Sequence, residues 1–406
     1  MTVRRYAALA CLCALTVAGC GGGSDPEPTP EASGPATEAT HTESAEATAS
    51  ATPSEPPQSC VDTVAASLTP EQRLGQLLMI GFDTNAGQTA LDAYVRDQHV
   101  GSVVYLGGWE GYEKVRSTSA HLQSLVSTSS TGDIGLIIAA DQEGGIVHQL
   151  RGDGFTRPPK ALEQAQSSPA ELTALANGWG QEIIGAGVNV NLAPVADTVP
   201  AEVGQANEPI GKWGRQFGSD PQVVGEYVAA FLDGMAEAGV TGVVKHFPGL
   251  GRVTGNTDFT AEGIEDAVAN VDDPFLQPFQ AGMDAGAGMV MMSSASYPKI
   301  DPDNQAVYSS AVITGLLRER MGWDGVVITD DVNAAALADL PAGERAVRFI
   351  SAGGDIVLNG DPRATGEMLD AIAATAEADP TFAQQVEDAV ERVLALKDEM
   401  GLLPCS

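Results

Sequence analysis

The sequence predicts an α/β fold, namely a single (β/α)8 TIM barrel formed by residues 59–406. Eight short runs of apolar and β-branched residues recur along this region, and stretches with helical spacing separate most of them. The runs are continuous and not alternating, which is typical of parallel strands buried on both faces. A doubly wound open sheet is the alternative architecture. The eight runs are residues 77–82, 101–106, 136–141, 188–195, 242–247, 289–294, 325–331 and 355–359.

Helix signals lie between the predicted strands. Thr69 is followed by Pro70 and, three residues after the threonine, by Gln72. A capping hydroxyl, a proline in the first turn and a glutamine at the third position together predict the start of a helix. Apolar residues at spacings of three and four predict further helices. These cover residues 220–238, 272–285, 309–320, 343–352 and 382–400.

The first twenty residues have the pattern of a signal peptide. Arg4 and Arg5 precede an apolar run over residues 7–18, which is too short to span a bilayer as a permanent helix. The run ends in the sequence VAGC at residues 17–20, which resembles a bacterial lipobox. In such signals the cysteine becomes the new N-terminus and carries lipid. We therefore expect Cys20 to be lipidated; a plain secretory signal is the alternative.

Residues 21–58 are rich in Gly, Pro, Ser, Thr, Ala and Glu and contain little that a core would bury. Seven acidic residues and no Lys or Arg occur in this segment, so its charges repel one another. Such a composition predicts a disordered tether. We expect a monomeric, extracytoplasmic protein that a lipid anchor attaches to the cell membrane, with no later segment that crosses it.

Charge and cysteine content narrow the functional classes. Residues 59–406 contain 47 acidic and 19 basic residues, a net charge of −28. So acidic a surface argues against nucleic-acid binding and against adhesion to anionic lipid. Cys60 and Cys405 bracket this region, and an even pair outside the cytosol is typical of a disulfide. Two unpaired thiols are the alternative.

Several polar residues follow the predicted strands directly. Asp141, Asp197, His246 and the pair Asp330-Asp331 all stand at carboxyl ends of strands. In a (β/α)8 barrel these ends form the face that holds the active site. The sequence therefore predicts that these side chains converge at one mouth of the barrel.

Five segments of the chain lie at or near the predicted strand ends: DQEGG at 141–145, NLAPVAD at 191–197, IGKWGRQFGSD at 210–220, KHFPGLG at 245–251 and GVVITDD at 325–331. In this order they resemble the segments of glycoside hydrolase family 3, in its single-domain β-N-acetylglucosaminidase branch. The resemblance implies a retaining hydrolase of terminal β-linked sugars, with β-N-acetylglucosaminides, including cell-wall fragments, as leading substrates. It implies no cofactor and no metal, and the chain has no Cys/His cluster with ligand spacing.

The resemblance also implies roles for individual residues. Asp330 matches the family nucleophile, although Asp331 is an alternative on sequence grounds alone. Four residues match those that hold hydroxyl and N-acetyl groups of the sugar through charge-assisted hydrogen bonds: Asp141, Arg215, Lys245 and His246. Asp197 is equally compatible with a structural role and is not counted among the binding residues.

The chain departs from the family at the proton-transferring group. The branch carries an Asp-Ser-His unit after KHFPGHG, and the corresponding residues here are Asn256, Thr257 and Asp258. In one interpretation Asp258 is the general acid/base, with its pKa raised by burial or by Asp330, and Asn256 binds substrate or orients Asp258. In a second, leaving-group protonation is weak. In a third, the barrel is a non-catalytic glycan-binding lipoprotein.

Four further positions differ from the family pattern. Ile146 and Gln149 replace arginines, and Leu250 and Ser294 replace histidines. The predicted nucleophile and the sugar-binding residues are retained, which favours a glycoside hydrolase with a changed acid over an inactive site. A glycoside phosphorylase, in which phosphate replaces water, is a further alternative.

Overall fold

The computed structural model describes residues 59–405. The predicted signal peptide, the lipidation site at Cys20 and the tether over residues 21–58 lie outside the described residues. Over the described part of the chain, no helix is long and apolar enough to cross a membrane.

Eight parallel strands form the central sheet. The strands are β1 (Leu78–Asp83), β2 (Ser102–Leu106), β3 (Ile137–Ala140), β4 (Val190–Asn191), β5 (Thr241–Phe247), β6 (Met289–Met292), β7 (Val326–Thr329) and β8 (Val357–Asn359). They pair in the order β7-β6-β5-β4-β3-β2-β1-β8, and a bridge between Ile328 and Ile356 closes the sheet between β7 and β8. The predicted (β/α)8 barrel is thereby confirmed, and the open sheet is excluded.

Each strand falls within or beside its predicted run, and β4 differs most in length. The run over residues 188–195 predicts eight residues, but only Val190 and Asn191 pair continuously with both neighbours. Pro194 has no N–H to donate to a ladder, and a single bridge between Val195 and Lys245 continues the contact beyond it. Every residue of β3, β6, β7 and β8 is buried, as a sheet enclosed by helices requires.

Helices surround the barrel, and most begin at a side-chain cap or a proline. Thr69 and Gln72 form the predicted capping box, and Ser168 and Glu171 form another. The helices are α1 (Cys60–Ser67), α2 (Pro70–Gln76), α3 (Asp92–Asp97), α4 (Tyr112–Gln123), α5 (Ala161–Gln164), α6 (Pro169–Gly185), α7 (Pro221–Glu237), α8 (Gln277–Asp284), α9 (Ala342–Ser351), α10 (Thr365–Ala378) and α11 (Pro380–Glu399).

Two of the predicted helices take a different form. The segment over residues 272–285 divides into a 3₁₀ turn, Pro274–Leu276, and α8, because prolines 274 and 278 each suit only a first turn. The segment over residues 309–320 forms a wider π-type helix, Ala311–Arg320. Further 3₁₀ turns occur at Gly204–Ala206, Gly211–Trp213, Ala306–Tyr308, Ala335–Leu337 and Pro362–Ala364, and short strand pairs join Trp109–Glu110 to Leu150–Arg151 and Gln142–Gly144 to Val147–His148.

The end of the barrel where the strands begin is closed by the two ends of the folded chain. Cys60 and Cys405 form a disulfide with a Cα–Cα distance of 6.1 Å, and α1 packs against α11. The fully buried Lys397 of α11 donates its three ammonium hydrogens to Gln76 Oε1 and to the carbonyls of Gly101 and Gly135, at 2.7 to 3.0 Å. The disulfide and the hydrogen bonds of Lys397 thus tie both ends of the folded chain to the end of the barrel at which the strands begin.

Candidate active site

A buried set of four charged side chains lies at the carboxyl ends of β3 and β5. Lys245 Nζ is 2.6 Å from Asp141 Oδ1 and 2.6 Å from Glu143 Oε1. Arg215 makes a two-pronged contact with Glu143, with Nε to Oε2 at 2.9 Å and Nη2 to Oε1 at 2.7 Å. Two cations and two carboxylates thus lie in one connected network, which fixes all four side chains.

The network keeps Glu143 and Lys245 in their charged forms. Burial disfavours the charge on Glu143, but the cations of Arg215 and Lys245 outweigh it and lower its pKa to about 2. Burial likewise opposes the charge on Lys245, yet Asp141 and Glu143 raise the pKa of its amine. Asp141 and Arg215 keep 20% and 15% of their side chains exposed, whereas Lys245 is only 2% exposed. The first two therefore face the open mouth, and Lys245 lies beneath them.

A second buried carboxylate orients His246. The ring Nδ1 of His246 lies 2.7 Å from Asp197 Oδ2, and the other oxygen of Asp197 accepts the backbone N–H of Leu250 at 2.6 Å. Asp197 is fully buried. The opposite ring nitrogen, Nε2, lies 4.0 Å from Asp330 Oδ2. Asp197 thus directs the outer edge of the imidazole toward Asp330.

The two adjacent aspartates after β7 have different surroundings. Asp331 Oδ1 accepts hydrogen bonds from the backbone of Asn333, the side-chain amide of Asn333 and the backbone of Gly360, each at 2.9 Å. A Cβ at Gly360 would lie 2.3 Å from Asp331 Oδ2, so this carboxylate is packed against the loop after β8. Asp330 is 23% exposed, and its Oδ1 accepts only the adjacent N–H of Asp331. The geometry therefore favours Asp330 over Asp331 as the group that faces a substrate.

Asp258 stands on a loop that backbone hydrogen bonds attach to the segment after the nucleophile position. The N–H of Ala335 donates to the carbonyl of Asp258 at 3.2 Å, and that of Ala336 donates to Thr257 at 3.0 Å. At the base of the loop, the N–H of Gly255 donates to Gly263 at 2.7 Å. A Cβ at Gly255 would lie 1.9 Å from the carbonyl oxygen of Glu262, so glycine is required for this close approach.

The carboxyl group of Asp258 is open to solvent at the mouth but flanked by protein and by other charges. Partial loss of hydration, followed by the negative charge of Asp330, raises the pKa of Asp258 to about 6. Asp331 acts in the same direction, while Arg215 and His246 oppose it. A carboxyl group with a raised pKa therefore lies near a second carboxylate at the mouth of the barrel, as a pair of catalytic carboxyl groups requires.

Asn256 supports the loop by a local contact. Its Oδ1 accepts the backbone N–H of Asp258 at 3.0 Å, and its carbonyl accepts those of Phe259 and Thr260, both at 3.0 Å. Asn256 thus fixes the backbone of Asp258, and its predicted role in substrate binding or in orienting the carboxyl group of Asp258 stays a prediction.

The four side chains that differ from the family pattern have different surroundings in the structure. Gln149 Oε1 accepts the N–H of Gly108 at 3.0 Å, and the side chain of Leu250 is buried. The hydroxyl of the buried Ser294 has no hydrogen-bond partner among the described residues, and Ile146 is about half exposed. Within residues 59–405, no group of three or more His, Cys, Asp or Glu side chains is arranged to hold a metal ion.

The structure brings Asp141, Arg215, Lys245, His246 and Asp330 together at one face, with the Asp258 loop over it. Glu143 and Asp197 also belong to the site, and the sequence-based prediction gives neither of them a role in binding or catalysis. The sequence carries a signal for both residues. The predicted binding residues include two cations, Arg215 and Lys245, but a single carboxylate, and Asp197 stands at the end of a predicted strand, as His246 does.

Comparisons with known proteins agree with this architecture. The model of the glycosyl hydrolase family 3 N-terminal domain matches residues 69–396. A β-hexosaminidase of Stenotrophomonas maltophilia is 34% identical over 311 residues, covering 73% of this chain and 87% of the relative.

Solved structures give the same result. A β-N-acetylhexosaminidase from Beutenbergia cavernae is 46% identical with a TM-score of 0.79, covering 82% of this chain and 99% of that one. A family 3 β-N-acetylglucosaminidase from a Paenibacillus species is 30% identical with a TM-score of 0.72, covering 82% and 63% of the two chains. The chain belongs to glycosyl hydrolase family 3 and is a β-hexosaminidase-like glycoside hydrolase.

Proposed function

We propose that this protein hydrolyses terminal β-N-acetylglucosaminides with retention of configuration. The observation that carries the proposal is the pairing of Asp330 with Asp258, in which the charge of the first raises the pKa of the second. Retaining glycosidases use two such groups, one to attack the sugar and one to protonate the leaving oxygen. The similar proteins from Stenotrophomonas and Beutenbergia, a β-hexosaminidase and a β-N-acetylhexosaminidase, support the choice of sugar.

In the first step, a carboxylate oxygen of Asp330 attacks the anomeric carbon while the carboxyl proton of Asp258 passes to the glycosidic oxygen. The bond between the anomeric carbon and that oxygen breaks, and a covalent glycosyl-aspartate remains. Esterification removes the negative charge of Asp330, which is one of the two largest causes of the raised pKa of Asp258. The pKa of Asp258 therefore falls, so that this group stays ionised after it has given up its proton. As a carboxylate it can accept a proton from water in the next step.

In the second step, water attacks the anomeric carbon, Asp258 accepts its proton, and Asp330 leaves as a carboxylate. His246 lies 4.0 Å from Asp330 and is oriented by Asp197, so it lines the same space. Asp141 and Arg215 face the mouth and are proposed to bind sugar hydroxyls, with Lys245 fixing Asp141 from below. Rigid donors and acceptors of this kind position the sugar for attack.

We further propose that the enzyme acts outside the cytoplasm, held to the membrane by lipid on Cys20, on cell-wall fragments that end in β-linked N-acetylglucosamine. The lipobox-like sequence and the composition of residues 21–58 support this location. Palmitate labelling of the expressed full chain, with Cys20→Ala as the control, tests the anchor. Label retained in the Cys20→Ala variant would contradict it.

A panel of nitrophenyl β-glycosides, assayed with and without inorganic phosphate, tests the activity. We expect release from the N-acetylglucosaminide and free sugar as the product in both conditions. Sugar phosphate as the main product would establish the phosphorylase alternative. No release from any sugar would remove both enzymatic interpretations and leave glycan binding.

Trapping with a 2-fluoro glycoside that bears a good leaving group, followed by peptide mapping, tests the nucleophile. We expect the label on Asp330. The matched variant Asp331→Asn should still be labelled, because the carboxylate of Asp331 accepts hydrogen bonds from Asn333 and Gly360 and does not face the substrate. A label on Asp331 would show that Asp331, and not Asp330, is the nucleophile.

A further inference from the structure

The residue next to the proposed acid is an exposed phenylalanine. Phe259 is 81% exposed, more than any other large apolar side chain in the described part of the chain. Water contact with an apolar ring of this size is unfavourable, and a ligand that covers the ring would remove that contact.

The backbone around Phe259 is fixed. Its N–H donates to the carbonyl of Asn256 at 3.0 Å, in the same turn whose Asn256 side chain accepts the N–H of Asp258. The carbonyl of Asp258 is in turn held by the N–H of Ala335. These hydrogen bonds fix the backbone of the turn, so the Cα of Phe259 has a defined position next to Asp258.

The chemistry of the reaction says what lies beside this turn. A general acid must be within hydrogen-bond distance of the oxygen that it protonates. That oxygen joins the terminal sugar to the leaving group, so the leaving group lies beside Asp258 on the side away from the anomeric carbon. Adjacent Cα atoms are about 3.8 Å apart, and a phenyl side chain reaches at least as far again, so Phe259 is within reach of the leaving group.

We propose that Phe259 is a specificity-determining residue that packs its ring against a sugar ring of the leaving group. The C–H face of a pyranose is apolar and flat, and an aromatic ring offers it a large rigid contact surface. This inference rests on the proposed function, because it takes Asp258 as the group that protonates the leaving oxygen. It predicts a preference for oligosaccharides over glycosides with small leaving groups.

Two substrates with alcohol leaving groups test the proposal, namely N,N′-diacetylchitobiose and methyl β-N-acetylglucosaminide. Only the first offers a ring to Phe259, whereas both need the proton from Asp258. We expect Phe259→Ala to lower kcat/KM for the disaccharide by about threefold to tenfold, the range for loss of one aromatic contact. The methyl glycoside should change by less than twofold, and Phe259→Trp should restore the disaccharide rate.

Leu175→Ala, which removes a 44%-exposed apolar side chain from α6, is the control and should affect neither substrate. Equal losses on both substrates in Phe259→Ala would show that the ring acts on the loop or on Asp258, and would overturn the proposal. No loss on either would also overturn it and would leave a protein partner as the occupant of the ring. If the wild-type protein cleaves neither substrate, the proposed function itself fails; cleavage by the wild type with no discrimination by the variant removes only the role of Phe259.

Discussion

Replacement of Asp258 by alanine should remove the acid without disturbing the barrel. The side chain is exposed and its loop is held through backbone atoms, so the variant is expected to fold normally. With a pKa of about 6, against 3.8 for an unperturbed aspartate, the protonated fraction at pH 7 is about 9% where it would otherwise be about 0.06%. The protein environment thus supplies roughly a hundredfold more of the active acid.

This shift fixes the expected pH dependence. The protonated form of Asp258 is the one that donates, so activity on a poor leaving group should fall as the pH rises through about 6. In Asp258→Ala this alkaline fall should disappear. The rate on an alkyl glycoside should drop by about 10²- to 10⁴-fold, the usual contribution of a general acid, while a dinitrophenyl glycoside, which leaves without a proton, should change far less.

Steady-state kcat/KM measured from pH 4 to 9 on both substrates checks the prediction. Azide should partly restore the kcat of Asp258→Ala on the activated substrate, because azide can attack the glycosyl intermediate without a general base. Glu262→Ala, which removes another exposed acid from the same loop, serves as the control. Equal losses on both leaving groups, or an alkaline fall that persists in Asp258→Ala, would refute the assignment of the acid.

Three further substitutions test the surrounding structure. Glu143→Gln leaves two buried cations short of a partner and should lower the free energy of unfolding by about 3–5 kcal/mol, whereas the exposed Glu163→Gln should not. Because the pKa of Glu143 falls from 4.5 to about 2 on folding, the difference should be complete above pH 4.5 and should fade progressively as the pH falls from 4.5 to about 2. Asp197→Ala should release His246 and lower kcat at least tenfold with a smaller change in KM; equal activity would contradict an orienting role. Cys60→Ser should lower the free energy of unfolding by about 2–5 kcal/mol, as measured in urea, and reductant should affect only the wild type.

The sequence predicted the barrel because each strand is buried on both faces and therefore appears as an unbroken apolar run. The same logic failed for part of β4, where the apolar residues continue past Asn191 but Pro194 cannot pair. Helix α4 gave a weaker signal, since its buried face includes Thr118 and Ser119 and not only apolar residues.

Most residues of the candidate site can be predicted from the sequence, but the contacts between them cannot. Motif order identifies Asp141, Arg215 and Lys245, but only the folded chain shows that Glu143 joins the last two. Pairing across strands depends on barrel register, which local sequence does not encode. The distinction between Asp330 and Asp331 likewise required the contact of Asp331 with the loop after β8, nearly thirty residues away.

The attachment of the Asp258 loop has a consequence for how this chemistry changes over evolution. The contacts that place the loop run from Ala335 and Ala336 to main-chain carbonyls, and from Gly255 to Gly263, so they do not depend on the side chain at position 258. The sugar-binding groups belong to a separate, buried network at the strand ends. A lineage can therefore exchange one proton donor for another on the loop while the pocket beneath it is inherited unchanged, and a designer can place new donors at the same position on a ready-made sugar site.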